Sequence, residues 1–377
     1  MFLHADTFLP DNAFEILSEF FNNNENNICR FLLGFDIDHY LLNFYLSFSK
    51  YDSIFTNFGD SAIVVRKSFF NSIVGFKNAE IFEDVDFFRR AKKIQKITIL
   101  PAKVISSARR FIQQGIIKQQ FINIYLFMKY FVKVKPKILS KIYNNSSFHK
   151  REAAIIVFLR YPTLGNVKRR LAITTGKEFA LNFYKLCATK MISEIKKVGK
   201  TNKYIFYSEK SEYESVKKWL GKTLFYSFQD GNTLGKRMQN AFQKIFSLGE
   251  KKVIIIGTDI PDLNKKIINE AITCLEKNDI VIGPSKDGGY YLLGMKKMYN
   301  QLFEDIKFST SNVYSQTISE IEKLGLQYSS LQQLQDIDTE EDITSWLNDK
   351  SYNKIKKNIE PVYNQINERA KLQCDNC

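Results

Sequence analysis

The chain has 377 residues, 44% hydrophobic and 25% charged, which suits two or three folded domains and excludes a disordered, collagen-like or small disulfide-stapled protein. Its formal net charge of +15 points to nucleic acid, an anionic membrane surface or phosphorylated substrates as the partners to weigh. The cations are spread along the chain, in runs such as 194–200 and 354–357, without zinc-finger spacing or an RNA-binding aromatic signature. They read as a solvated basic surface and not as a nucleic-acid interface.

In chain order, the pattern predicts a strand over 62–66, a helix over 83–92, a strand over 97–100 and a helix over 118–132. That is too few strands for a complete sheet. The apolar stretch 121–134 is interrupted by Asn123, Lys129 and Lys133; it suits a core helix, with a membrane-interface helix as the alternative. No run of about 18 apolar residues is present, so no spanning helix is expected, and no signal peptide opens the chain.

An Asn/Ser-rich break over 141–151 separates the two parts. After it, strands over 153–159, 203–207, 252–257, 279–283 and 290–295 alternate with helices over 177–197, 212–220, 236–246 and 263–275. That alternation implies an α/β fold with a mostly parallel sheet covered on both sides. The domains expected are 1–145, 151–348 and a basic, helical or disordered tail over 349–377. The five cysteines are sparse and odd in number, which suits a reducing, cytoplasmic compartment. Cys187 and Cys274 read as core residues, and the Cys374/Cys377 pair as a frayed tail before a zinc site.

Four segments carry chemistry. Ligands of open α/β sheets bind outside the carboxyl ends of strands. After strand 153–159 comes a loop shaped by Pro162 and Gly165 and followed by Lys168, Arg169 and Arg170, the equipment needed to hold a diphosphate or triphosphate. Asp259 follows a fully apolar strand, where a carboxylate can hold Mg²⁺ or Mn²⁺; Asp262 reads as the cap of the next helix. Gly288 and Gly289, after Asp287, permit close approach of backbone to ligand. In 336–342, Thr339 and Asp342 form a capping box, leaving Asp336 or Asp338 to complete the metal site.

Taken together, these segments resemble the GT-A-like glycosyltransferases of arsenosugar-biosynthesis type found beside radical-SAM genes. The likeness rests on Pro162, Gly165, Lys168 and Arg170, on 234–238 with Ala241 and Phe242, on 257–263, on Gly283-Pro284 with 287–290, and on 336–339. Lys168-Arg169-Arg170 departs from the usual Lys-Thr-Arg. That fold is shared by phospholactate guanylyltransferase and molybdopterin nucleotidyltransferases. The resemblance implies a nucleotide site at Pro162, Gly165, Lys168, Arg170, Gly235, Arg237, Gly288 and Gly289, a metal at Asp259 and Asp338, and a catalytic Asp287.

The N-terminal part resembles the C-terminal half of a glycosyltransferase family 2 enzyme, on His4-Ala5-Asp6, Gly59-Asp60, Gly75-Phe76, 83–86 and 106–110. The resemblance implies a metal ligand at Asp6, an acceptor-site Asp60 and a catalytic base, Asp84. Because the chain starts at this motif, the family's nucleotide-reading strands are expected to be missing and this part to be an incomplete GT-A domain, inactive alone.

The function expected is a metal-dependent glycosyltransferase using a nucleotide sugar and a small-molecule or lipid-linked acceptor. A nucleotidylyltransferase of guanylyltransferase kind and an inactive binding scaffold stand as alternatives. Peripheral association with the inner face of the membrane and a homodimer are further expectations.

Overall fold

The computed structural model describes the chain except residues 54–55, 58, 78–80, 146–152, 309, 349–355, 358, 360, 362 and 364–377. It divides into two compact units, Met1–Lys150 and Arg151–Cys377.

The first unit holds strands β1 (Thr7–Phe8), β2 (Ile28–Phe35), β3 (Ile63–Val65) and β4 (Thr98–Ser106), in the order β1-β4-β2-β3. β2 and β4 are parallel, and the other pairs antiparallel. Cys29, Phe31 and Leu33 of β2 pack with Ala13 and Leu17 of helix Ala13–Asn22. Ile28 packs in a second cluster with Phe87, Phe88 and Ala91 of helix Glu83–Lys92.

The sequence reading lacked β2, one of the two central strands of this sheet. Its apolar run is interrupted by Arg30, which the fold buries completely. The guanidinium donates to Asn57 Oδ1 at 2.7 Å and to the carbonyls of Ser49 at 2.7 Å and Tyr51 at 3.0 Å. Those long-range partners remove the cost of an unpaired buried charge and have no local signature. β4 likewise runs past the predicted stop at Leu100. The ladder skips from Phe31↔Leu100 to Leu32↔Lys103, a bulge that takes up Pro101 without losing the strand.

The second unit is the expected α/β sandwich. Its strands are β5 (Ala153–Leu159), β6 (Thr201–Tyr207), β7 (Phe225–Phe228), β8 (Val253–Ile256), β9 (Ile280–Pro284), β10 (Tyr290–Met295) and β11 (Tyr328–Ser330). They form one sheet, β11-β9-β10-β8-β5-β6-β7, in which only β10 runs antiparallel to its neighbours. All four residues of β8 are buried, as a central strand of such a sheet requires. Met191, Ile192 and Ile195 of helix Lys177–Lys196 share one core with Ile267, Ile268 and Ala271 of helix Lys265–Lys277.

Two local expectations need correction. Helix Lys265–Lys277 is capped by Asn264, whose Oδ1 accepts from Lys266 N at 2.9 Å and Ile267 N at 3.3 Å. Asp262, expected in that role, instead accepts from Trp346 Nε1 at 2.7 Å, because the chain stays irregular until Asn264. Residues 141–145, expected as linker, complete helix Pro136–Asn145; the rest of that break lies outside the described residues. In the tail, expected to be basic and helical or disordered, Ile359 and Tyr363 are buried with Phe183, Leu171 and Trp346. Lys356 is buried too, its ammonium 5.2 Å from the centre of the Trp346 ring, where the aromatic face attracts it. Cys374 and Cys377 lie outside the described residues.

The capping box does form. Thr339 N donates to Asp342 Oδ2 at 2.8 Å and Asp342 N to Thr339 Oγ1 at 3.3 Å, starting helix Glu340–Asn348. Cys187 is buried and Cys274 partly so, as expected.

Candidate active site

Strand direction alone gathers the four segments. One rim of the second sheet receives the carboxyl ends of β5, β8, β9 and β11 and the start of the antiparallel β10. Successive strands β5, β6 and β7 step one way across the sheet, while β8 lies on the other side of β5. The crevice therefore opens between β5 and β8, the switch point where such sheets bind ligands.

At this crevice Lys168 occupies the centre. Its ammonium lies 2.7 Å from Asp259 Oδ1 and 2.9 Å from Asp338 Oδ1. Only 2% of the lysine side chain is exposed, against 50% and 47% for the two aspartates. Burial opposes the lysine's charge, yet Asp259 and then Asp338 hold its pKa above the ordinary lysine range. Lys168 is also left-handed, with φ 47° and ψ 48°, which is uncommon outside glycine and holds strain at the start of the short helix Arg169–Thr175.

The surrounding backbone is pinned. Tyr184 OH donates to Arg160 O at 3.0 Å and accepts from Arg160 N at 2.9 Å. Thr258 Oγ1 also meets that hydroxyl, at 3.3 Å, so one tyrosine ties the loop after β5 to the loop after β8. Burial, then the charge of Asp259, pushes the phenol up to about 12, which keeps it a donor. Ile337 N donates to Asp259 O at 3.3 Å, drawing the segment that carries Asp336 and Asp338 beside Asp259.

The loop between β9 and β10 closes the far side. Asp287 accepts from Ser285 Oγ and, at 2.9 Å, from Gly289 N. Gly288, at φ +87°, passes so close to the chain that an added Cβ would lie 1.9 Å from Ser311 O. Asp336 lies in the field of this group. Burial first, then Asp287 and Asp338, raises its carboxyl to about 6.

Other predicted residues have local tasks. Pro162 is buried, Gly165 takes φ +80°, and Arg169 and Arg170 are exposed just beyond Lys168. Gly235 makes room for the Phe308 ring, since a Cβ there would sit 2.3 Å from it. Arg237 Nε donates to Gly231 O at 2.9 Å, bracing the loop before its own helix, Leu234–Ser247.

The first unit has its own acidic group. Asp84 accepts from Gly59 N at 2.6 Å and Val85 N at 2.8 Å, and His4 Nε2 lies 3.5 Å from Asp60 Oδ1. Burial raises the carboxyls of Asp60 and Asp84, and the charge of Asp6 adds to the rise at Asp60. Half of the Asp60 side-chain surface is open, but enough protein surrounds it for desolvation to lead. Asp60 and Asp84 both act on Tyr45 and Tyr143, and Arg110, 4.1 Å from the centre of the Tyr143 ring, offsets part of the rise at Asp60. Phe82, just before Asp84, is left-handed at φ +65°.

Among the described residues no group of three or more His, Cys, Asp or Glu is placed to hold a metal ion. Asp259 and Asp338 nonetheless face a single cation, the Lys168 ammonium. A pair of half-exposed carboxylates suits Mg²⁺, which takes one or two protein carboxylates and fills its shell from phosphates and water.

Sequence reasoning missed Tyr184 as the tie between two loops. It sits mid-helix on an apolar face, so nothing local separates its hydroxyl's task from plain core packing.

Comparison with known proteins bears on this unit. Residues 191–310 match a family described as "Uncharacterized protein conserved in bacteria (DUF2064)". A stretch of 62 residues, 16% of this chain, is 39% identical to 2-phospho-L-lactate guanylyltransferase of Methanocaldococcus jannaschii and spans 28% of that protein's length. A crystal structure from Desulfovibrio desulfuricans G20, described as a nucleotide-diphospho-sugar transferase, is similar over 58% of this chain and 97% of its own, at 28% identity and a TM-score of 0.54. The 4-diphosphocytidyl-2C-methyl-D-erythritol synthase of Anaerococcus prevotii DSM 20548 is a looser likeness, 14% identical over 51% of this chain and 95% of its own, with a TM-score of 0.36. The second unit thus has the nucleotide-diphospho-sugar transferase fold.

Proposed function

We propose that the second unit is a nucleotide-dependent transferase that moves a nucleoside monophosphate from a triphosphate to a phosphorylated small molecule. The observation that carries this reading is the buried Lys168 ammonium, fixed between Asp259 and Asp338 at the switch point. A desolvated, permanently charged lysine after the first strand is suited to phosphate oxygens. The stretch of likeness to a guanylyltransferase supports the same chemistry.

In this reading Lys168 binds the triphosphate, and the exposed Arg170 adds a second cation. Tyr184 keeps the two loops in register. A phosphate oxygen of the acceptor attacks the α-phosphorus, the bond to the β-phosphate oxygen breaks, and pyrophosphate leaves. Bound at Asp259 and Asp338, Mg²⁺ or Mn²⁺ would supply charge neutralisation to the same phosphates. Gly288 and Gly289 let the backbone approach the substrate, and Asp287 holds that turn closed.

Glycosyl transfer is the second reading. It is favoured by the first unit, where Asp84, Asp60 and His4 converge as an acceptor site with a base would require. The two readings differ in product. With each of the four nucleoside triphosphates, Mn²⁺ and a panel of phosphorylated acids and alcohols, pyrophosphate release is expected. Release of nucleoside diphosphate from nucleotide sugars, without pyrophosphate from triphosphates, would move the assignment to glycosyl transfer. Absence of nucleotide binding in a thermal-shift screen would leave only a scaffold.

A further inference from the structure

Helix Ile116–Phe131 of the first unit is apolar on two opposite sides. Leu126 and Phe127 are buried on one side, where the Phe82 ring lies 5.9 Å from Phe127 and 5.0 Å from Tyr130. On the other, Ile117, Phe121, Ile124, Tyr125 and Met128, with Val132 just beyond the helix, are 61%, 68%, 54%, 44%, 57% and 69% exposed. At about 100° per residue these six fall within an arc of roughly 100°. Single exposed apolar residues are ordinary, but a continuous stripe of this size marks an interaction surface.

The charge around it is one-sided. Residues 109–145 contain eight Lys or Arg and no Asp or Glu. Lys118 and Lys129 border one edge of the stripe, and Lys133, Lys135 and Lys137 follow at its end. The next helix, Pro136–Asn145, adds Ile138 and Ile142, 49% and 36% exposed. A second copy of the chain would set these cations against each other. A bilayer with anionic headgroups satisfies both features at once, because it offers phosphate to the lysines and acyl chains to the stripe. Among the described residues no helix is long and apolar enough to cross a membrane, so the helix would lie along the interface.

We propose that helix Ile116–Phe131 docks the protein on an anionic lipid bilayer, with its Phe121 and Met128 face in the boundary between headgroups and acyl chains. This surface is independent of the reaction at Lys168.

The test is co-sedimentation of the full chain with vesicles of phosphatidylglycerol and phosphatidylcholine, against vesicles of phosphatidylcholine alone. Binding should be about tenfold or more tighter to the anionic vesicles. The pair Phe121→Ser with Met128→Ser, and separately Lys133→Glu with Lys135→Glu, should each weaken it by about tenfold or more, with the melting temperature unchanged. Should the first pair lower the melting temperature, Ile117→Ser with Ile124→Ser gives the same reading. Failure to sediment with anionic vesicles overturns the proposal, as does wild-type binding by both apolar pairs. Self-association in sedimentation velocity that the apolar pairs abolish would assign the face to a second copy and overturn it too.

Discussion

Lys168 Nζ and Asp338 Oδ1 lie 2.9 Å apart although 170 residues separate them in sequence. With Asp259 on its other side, the lysine ammonium fills the place between two carboxylates that a divalent ion would share. Under the proposed function the same lysine would supply a phosphate ligand and compete with the metal until phosphate arrives.

Lys168→Met should separate these roles. Without the ammonium, Asp259 and Asp338 repel one another, and Mn²⁺ affinity in the absence of nucleotide should rise by about tenfold, read from the free Mn²⁺ signal in electron paramagnetic resonance. Nucleoside triphosphate affinity should fall by about tenfold at low salt, and less at high salt where phosphate contacts are screened. Unchanged Mn²⁺ affinity would show that the lysine does not occupy the metal's place.

Asp259→Ala should abolish metal-dependent nucleotide binding while leaving the fold intact, since half of that side chain is exposed. Isothermal calorimetry with and without Mn²⁺ measures it. A variant that binds nucleotide as the parent does removes Asp259 from the site.

Asp336 sets a pH dependence of stability. Its carboxyl is raised to about 6 by burial, Asp287 and Asp338, so the folded state holds this proton more tightly than the unfolded chain does. Between about pH 4 and pH 6 the folded state binds more protons, and stability contributed by this group falls as pH rises. Asp336→Asn should therefore raise the melting temperature at pH 7, and the gain should vanish as pH drops toward 4. A gain independent of pH in melts from pH 4 to 8 would assign the effect to packing.

Gly288 and Gly165 both have positive φ, but their surroundings differ. A Cβ at Gly288 meets Ser311 O at 1.9 Å, whereas at Gly165 the nearest atom is Lys177 Cδ at 3.7 Å. Gly288→Ala should cost more than about 2 kcal/mol in denaturant unfolding and weaken nucleotide binding. Gly165→Ala should cost about 1 kcal/mol, from backbone conformation alone. Equal losses would show that the loop at Ser311 yields.

The amino-acid sequence by itself determined the second unit's alternation of strands and helices, because β5, β8 and β10 are apolar runs and the helices between them keep a 3.6-residue period. It also placed Lys168, Asp259 and Asp287 in the loops that follow or join those strands. It could not show Arg30 as a strand residue, Asp262 as a partner of Trp346, or Tyr184 as a tie, since each depends on a partner far along the chain. Only the tertiary structure decided that Asp259 and Asp338 meet across one lysine. That meeting follows from strand order, which places β5 beside β8 and brings the segment after β11 back across the same rim.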